Sequence, residues 1–290
     1  MQILPFDDRN GFIWFNGEYI EWKDARTHIL NHGLHYGSCV FEGLRIYDGK
    51  IFKLEDHIER LFNSATILDL KIPYDYNEVI EVTKKITLKQ NVRNGYIRPV
   101  VWRGSEMMAI SALKGSTNLA IAAWEWPSYF SPDKLLEGIK LTTSKWKRPS
   151  PDSAPTDSKA AGLYMICSLS KHEAEKNGYD DALMLDFRGY IAEATGANIF
   201  FVKDKEIFTP KPDCFLNGIT RKTVIEIAEE NKFKVNESHF KPDFLKSCQE
   251  AFLTGTAVEI TPIKCIDEFK FEEREITKFL ISEFKKKVKN

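Results

Sequence analysis

A lysine enclosed by small residues is the first group in this sequence that invites chemistry. In SAPTDSKAAGLYM, residues 153–165, Lys159 follows a proline-containing loop, with Ser158 before it and Ala160, Ala161 and Gly162 after it. An average loop lysine simply reaches water on its flexible stem. One crowded by small residues instead suits an amine that a flat group must approach. A second candidate is Glu193 in GYIAEATGANIFF, where strand alternation sets Ile191, Glu193 and Thr195 on one side. Such a carboxylate either faces solvent or is buried with a cationic partner, because unpaired burial costs too much. A third signal is anion binding. Asn217-Gly218 leads into a helix in LNGITRKTVIEIAEE, and first-turn amides have no partners within their own helix. The small residues and hydroxyls of TGTA, residues 254–257, offer a second backbone cradle.

An amine, a carboxylate and anion cradles together match what pyridoxal 5′-phosphate requires: a Schiff-base lysine, a partner for the ring nitrogen and donors for the phosphate. Competing signatures are missing from the sequence: there is no GxGxxG after the first strand, no GxxxxGK[ST], no GxSxG and no HExxH. His28, His32 and His35 in THILNHGLHYG have a spacing that would align imidazoles on one helical face. Gly33 and Gly37 argue for a loop there, and with no carboxylate or thiolate cluster nearby no metal is expected.

The elements that must position these groups follow from patterning. Asn16-Gly17 and Asp48-Gly49 each sit between strand-like runs and predict two hairpins. Leu54, Ile58, Leu61, Phe62 and Ala65 mark one face of a helix, and further elements are a helix near 76–91 and strands at 95–102 and 118–125. The second half reads as the Lys159 loop, a helix from about 162 to 177, three short strands within 181–210, a helix from near Thr220, a strand–turn–strand around TGTA, and a C-terminal helix. Its closing FKKKVKN complements the helix dipole. The fold class is therefore α+β, with a small N-terminal α/β domain over 1–124, a linker over 125–136 and a larger cofactor-binding domain over 137–290.

The bulk composition is that of a soluble globular protein. Among 290 residues, 41 basic side chains balance 42 acidic ones, which gives no electrostatic case for nucleic acid or an anionic membrane. The start MQILPFDDRN lacks the pattern of a secretory signal, and no apolar run is long enough to span a bilayer, so a cytoplasmic location is expected. Five scattered cysteines without a CxxC pair read as free thiols.

Six separated segments in order carry a family resemblance: IWFNGEYIEWKDARTHILNHGLHYGSCVFEGLRIYDG, YIRPVV, PTDSKAAGLY, GYIAEATGANIF, LNGITR and LTGTAVEITPI. With them the chain resembles the fold-type IV pyridoxal-phosphate enzymes, most closely the branched-chain amino acid aminotransferases. The resemblance implies two domains with the active site between them and a ping-pong transamination of leucine, isoleucine and valine with 2-oxoglutarate. It implies Lys159 as the Schiff-base lysine and proton shuttle, Glu193 on the pyridine nitrogen and Tyr164 on the phenolic oxygen. The phosphate would fall to Arg60, the amides of Ile219 and Thr220, and the Thr256 hydroxyl. Phe41, Tyr96 and Trp126 would wall the substrate pocket, Arg98 would meet the distal carboxylate of glutamate, and the Thr256-Ala257 amides would meet the α-carboxylate. Tyr36 and the 105–110 loop, with Ile110, resemble elements that reach a neighbouring subunit, so a homodimer is expected. The departure is WRGSEMMAIS, residues 102–111, where the family carries a glycine-rich run. Its Arg103-Gly104 pair is similar to the (R)-amine transaminases, so a D-amino acid or (R)-amine transaminase, or an aminodeoxychorismate lyase, is the same-fold alternative. Outside enzymes the alternative is a module that only binds the cofactor.

Overall fold

In the computed structural model, residues 5–126, 129–130 and 132–289 are described. The chain divides into two compact units, Met1–Pro127 with Ser158–Gly162, and Ser128–Asp157 with Leu163–Asn290. The Lys159 segment thus belongs to the first unit although the chain around it belongs to the second. Of the expected linker, residues 127, 128 and 131 lie outside the described residues.

The first unit comprises β1 (Phe12–Phe15), β2 (Glu18–Glu21), α1 (His32–Tyr36), β3 (Cys39–Phe41), β4 (Leu44–Tyr47), β5 (Lys50–Ile51), α2 (Leu54–Ile67), α3 (Tyr76–Lys89), β6 (Gly95–Arg103) and β7 (Thr117–Glu125). Its antiparallel sheet runs β2-β1-β7-β6-β4-β5, with β3 also on β6. Both expected hairpins are present, with positive φ at Asn16, Gly17, Asp48 and Gly49. The helical face expected of α2 is the buried one: Leu54, Ile58, Leu61 and Ala65 join Ile97, Val101, Leu119, Ile121 and Ala123 in one core. Asp75 and Glu78 form a reciprocal capping box at the start of α3. The His28–His35 region is not all loop, as Gly33 and Gly37 suggested. Asn31 accepts from the Leu34 amide at one end, and Gly37 at φ 71° stops the chain at the other, so one turn of helix fits between them.

The second unit adds α4 (Pro132–Glu137), β8 (Ile139–Arg148), α5 (Tyr164–Lys176), β9 (Asp181–Asp186), β10 (Ile191–Ala194), β11 (Asn198–Lys203), β12 (Glu206–Pro210), α6 (Ile219–Glu230), β13 (Val235–Ser238), β14 (Glu250–Gly255), β15 (Glu259–Ile266), β16 (Phe269–Lys270) and α7 (Glu275–Lys287). Its mixed sheet runs β10-β9-β8-β15-β14-β11-β12-β13, and a further pairing of β10 with β11 closes six of these strands into a ring. Between residues 181 and 210 there are four strands, not the expected three. Asp204 and Lys205 both take positive φ, at 49° and 65°, and make a tight hairpin turn without the glycine that would have announced it. Phe200 stacks on its cross-strand partner Phe252 with ring centroids 5.0 Å apart. Among the described residues no helix is long and apolar enough to cross a membrane.

The C-terminal helix is docked by a buried carboxylate. Glu250 on β14 accepts from the amides of Ile276 (2.9 Å) and Thr277 (2.8 Å) and from the Thr277 hydroxyl (2.6 Å). Its charge lies at the positive end of α7. Replacing it with alanine leaves two amides and a hydroxyl buried without an acceptor, so Glu250→Ala is expected to lower stability by about 2 kcal/mol. Urea unfolding of the apoprotein tests this; a variant as stable as the parent would show that α7 docks by apolar packing alone.

Candidate active site

Within the first unit, β6 and β7 separate two environments by strand alternation. Ile97, Val101, Leu119, Ile121 and Ala123 face the core, while Arg98, Val100, Trp102, Ala120 and Ala122 line a cavity of about 600 Å³ on the other face. Arg98 is the charge among these apolar sheet residues. Its guanidinium lies 4.6 Å from the Phe41 ring centroid and donates to the Tyr96 hydroxyl at 3.3 Å, while its buried Nε has no hydrogen-bond partner. Trp126 meets Tyr96 edge to face at 4.6 Å. Phe41, Tyr96, Arg98 and Trp126, named from the sequence as substrate residues, are therefore neighbours along one path of contacts. Tyr36 and Ile110 are 44% and 84% exposed.

Lys159 is not the freely exposed lysine of the plainer expectation. It is half-buried, its amide donates to Ser64 Oγ at 3.0 Å, and its carbonyl accepts from the Phe41 amide at 3.2 Å. Ala160 forms a β-bridge with Val40, and Lys159 Nζ sits 5.0 Å from the Phe41 ring. The segment is thus bridged to β3, which places the amine by backbone bonds rather than by its own reach.

Helix α2 presents His57, Arg60 and Ser64 at a spacing of three and four residues, which is one helical face. Ser64 holds the Lys159 amide, and the other two converge on Glu42, which is fully buried. Arg60 binds it through Nε (2.5 Å) and Nη2 (2.9 Å), and His57 Nδ1 donates at 2.7 Å. Burial alone would raise the Glu42 carboxyl, but Arg60 and His57 hold it well below the usual carboxylate range. Burial likewise pushes the His57 imidazole below its ordinary range, against the pull of Glu42.

In the second unit, Glu193 is largely buried and has the cationic partner its burial demands. Arg148 Nε lies 3.4 Å from one carboxylate oxygen, and Asn198 Nδ2 donates to the other at 3.2 Å. Burial opposes the charge of Arg148, yet Glu193, Cys167 and Tyr164 more than offset it. Simple alternation did not predict this placement, because a bulge between Ile191 and Glu193 shifts the register on β9. Tyr164 opens α5, half-buried. Gly218 is the N-cap of α6 and no side chain caps that end, so the amides of Ile219 and Thr220 open the helix without a side-chain acceptor. Thr256 and Ala257 form the half-buried turn between β14 and β15, and the buried Thr254 hydroxyl beside it lacks a hydrogen-bond partner.

These residues fit the expected cofactor. A carboxylate flanked by a guanidinium and an amide suits a protonated pyridine nitrogen, and an uncapped helix start with an orphan hydroxyl nearby suits a phosphate. A thiol nucleophile does not compete with Lys159, since burial pushes Cys39 and Cys167 up to about 11 and Cys214 and Cys248 up to about 12. The histidine ligand set fares no better. His32 is bonded to Ser38 Oγ and the Ala109 carbonyl, and His35 to the Ile29 carbonyl. Among the described residues the three-residue group with metal-like spacing is Asp186, Asp213 and Cys214, whose two carboxylates already accept from Arg188. Arg103, which suggested an amine-specific pocket, is buried and donates to the carbonyls of Ala112 and Asp69, so it holds the 102–111 segment in place.

Glu42, His57, Ser64, Arg148 and Asn198 were missed from the sequence. The α2 spacing was visible there, but its targets Glu42 and Lys159 are joined to it only by the fold.

Comparisons with known proteins bear on the family of the chain. Residues 39–266 match the model of the family described as amino-transferase class IV. A probable branched-chain-amino-acid aminotransferase of Rickettsia felis is 44% identical, over 98% of both chains. The branched-chain-amino-acid aminotransferase of Pseudomonas aeruginosa is also 44% identical, over 91% of this chain and 87% of that one. Among solved structures, a T.th. branched-chain amino acid aminotransferase with pyridoxamine 5′-phosphate superposes with a TM-score of 0.93 at 36% identity, covering 97% of this chain and 94% of that one.

The state of His57 gives a pH test. Its folded value lies below the unfolded one of about 6.5, so as pH falls the unfolded chain takes up the proton first and stability declines. Between about pH 7.5 and 5.5 the apoprotein is expected to lose stability. His57→Gln, which keeps a donor toward Glu42 but does not titrate, should flatten part of that slope in urea titrations. Identical slopes would show that His57 is equally protonated in both states.

Proposed function

The chain belongs to the class IV aminotransferases, and from that premise we propose how its residues transfer the amino group of leucine, isoleucine or valine to 2-oxoglutarate, with pyridoxal 5′-phosphate as carrier. When bound, that cofactor supplies an electron sink for the pair left on Cα when its proton departs. Lys159 Nζ would be the covalent anchor of the cofactor and, as a free amine, the base that takes the proton from Cα and delivers it to the carbon that carries the amino group on the cofactor. Glu193 accepts the ring N–H, and Tyr164 donates to the phenolic oxygen. Arg60, the Ile219 and Thr220 amides and the Thr256 hydroxyl hold the phosphate. The observation that carries this reading is the buried position of the Glu193 carboxylate between Arg148 at 3.4 Å and Asn198 at 3.2 Å.

Two kinds of substrate must use one pocket in turn. Phe41, Tyr96 and Trp126 present apolar surface to an aliphatic side chain, and the Thr256-Ala257 amides take the α-carboxylate. Arg98 serves the distal carboxylate of glutamate or 2-oxoglutarate. Its position over the Phe41 ring, at 4.6 Å, supports its charge when an aliphatic substrate brings no carboxylate. On this reading the protein purified with cofactor shows a visible band that leucine, isoleucine and valine abolish and D-alanine leaves unchanged. Lys159→Ala lacks the band and loses transamination by on the order of 10³-fold. No turnover of any branched-chain amino acid would overturn the assignment.

The reading extends to a cytoplasmic homodimer. Supporting it are the free state of all five cysteines and the exposure of Tyr36, Leu34 and Ile110 on the first unit. Ile110→Asp is expected to shift the mass measured by light scattering from dimer toward monomer; a parent protein that is already monomeric would refute the dimer.

A further inference from the structure

Asn198 makes three hydrogen bonds that join two parts of the second unit. Its Nδ2 donates to Glu193 Oε2 at 3.2 Å and to the Leu216 carbonyl at 3.0 Å, while its Oδ1 accepts from the Gly218 amide at 3.1 Å. The partners fix which way the amide points, since a carboxylate and a carbonyl need donors and an N–H needs an acceptor. The side chain is only 5% exposed, so water does not readily replace any of these bonds. On the backbone, Asn198 pairs with Glu193 where β11 closes on β10, and with Thr254 on β14. The turn it grips, Leu216–Gly218, is the one that launches α6. That turn approaches so closely that a Cβ at Gly218 would lie 2.2 Å from Asn198 Oδ1.

We propose that Asn198 is a positioning residue that couples the carboxylate serving the ring nitrogen to the helix start serving the phosphate. The inference rests on the reading above, in which Glu193 and the first turn of α6 hold opposite ends of one cofactor. The distance between those ends is fixed by the cofactor's covalent frame, and a single rigid amide sets the matching distance in the protein. A push at one end is therefore felt at the other. The coupling needs no contact between Asn198 and the cofactor itself.

The test uses full-length protein reconstituted with pyridoxal 5′-phosphate labelled with ¹⁵N in the ring, read by ¹⁵N NMR for the ring nitrogen and ³¹P NMR for the phosphate. Asn198→Ala is expected to move both signals and to weaken cofactor binding about tenfold, the scale of a lost hydrogen bond in a dry site. Gly218→Ala alters only the helix end, yet it is expected to move the ¹⁵N signal by pressing on Asn198. In the Asn198→Ala background, where that pressure is absent, Gly218→Ala should leave the ¹⁵N signal where it was. Additive effects of the two substitutions, or a ¹⁵N signal that ignores Gly218→Ala in the parent, would overturn the coupling. Should Asn198→Ala not fold, Asn198→Ser removes the same reach and takes its place in the cycle. Failure of the parent protein to take up the cofactor would instead overturn the functional reading beneath the inference.

Discussion

A carboxylate taken out of water must collect donors enough to keep its charge, and much of this molecule is arranged around that requirement. Glu42, Glu193 and Glu250 each sit away from solvent, and each is met by a different kind of donor. Glu250 uses the amides at a helix start, so its charge fastens the last helix to the sheet. Glu42 uses an arginine and a histidine from α2, and this fixes the guanidinium of Arg60 in direction as well as place. Glu193 is met by Arg148 and Asn198, a guanidinium and an amide that face its two oxygens. The same physics thus gives a structural tie, an orienting tie and a chemical group.

Placement of the lysine follows a different logic. A flexible side chain is held to a useful position by fixing its backbone, and Lys159 has both backbone groups bonded, to Ser64 and to Phe41. Ala160 bridges to Val40 on β3 and is itself buried there. Helix α2 then does two jobs from one face, holding the lysine segment with Ser64 and Arg60's partner Glu42 with His57. A shift of that helix would disturb both together.

The pocket on the other side of the sheet shows how alternation converts a single strand into two surfaces. Residues 97 and 101 of β6 complete a core, while residues 98, 100 and 102 present an arginine in apolar surroundings. A charge there is costly unless its environment helps, and the rings of Phe41 and Tyr96 do so. On the proposed function, that compromise would let aliphatic and acidic partners use one cavity in alternation.

How much of this was legible beforehand depends on the range of the interaction. Local physics wrote the α+β class, the hairpins at Asn16-Gly17 and Asp48-Gly49, the buried face of α2 and the small residues around Lys159 into the sequence, because each is decided by neighbours a few positions away. The order of the six family segments carried the chemistry with them. The one-turn helix at His32–Tyr36 and the hairpin at Asp204-Lys205 escaped, since caps and unusual φ values there overrode the residue preferences. The bulge in β10, the pairing of Glu193 with Arg148, the grip of Asn198 on the turn before α6 and the Glu42 cluster were decided only by tertiary structure. The last three join residues 15 to 45 positions apart, from the Glu42–His57 bond to the Arg148–Glu193 pair. Which donor a buried charge will find is settled by what the fold brings beside it.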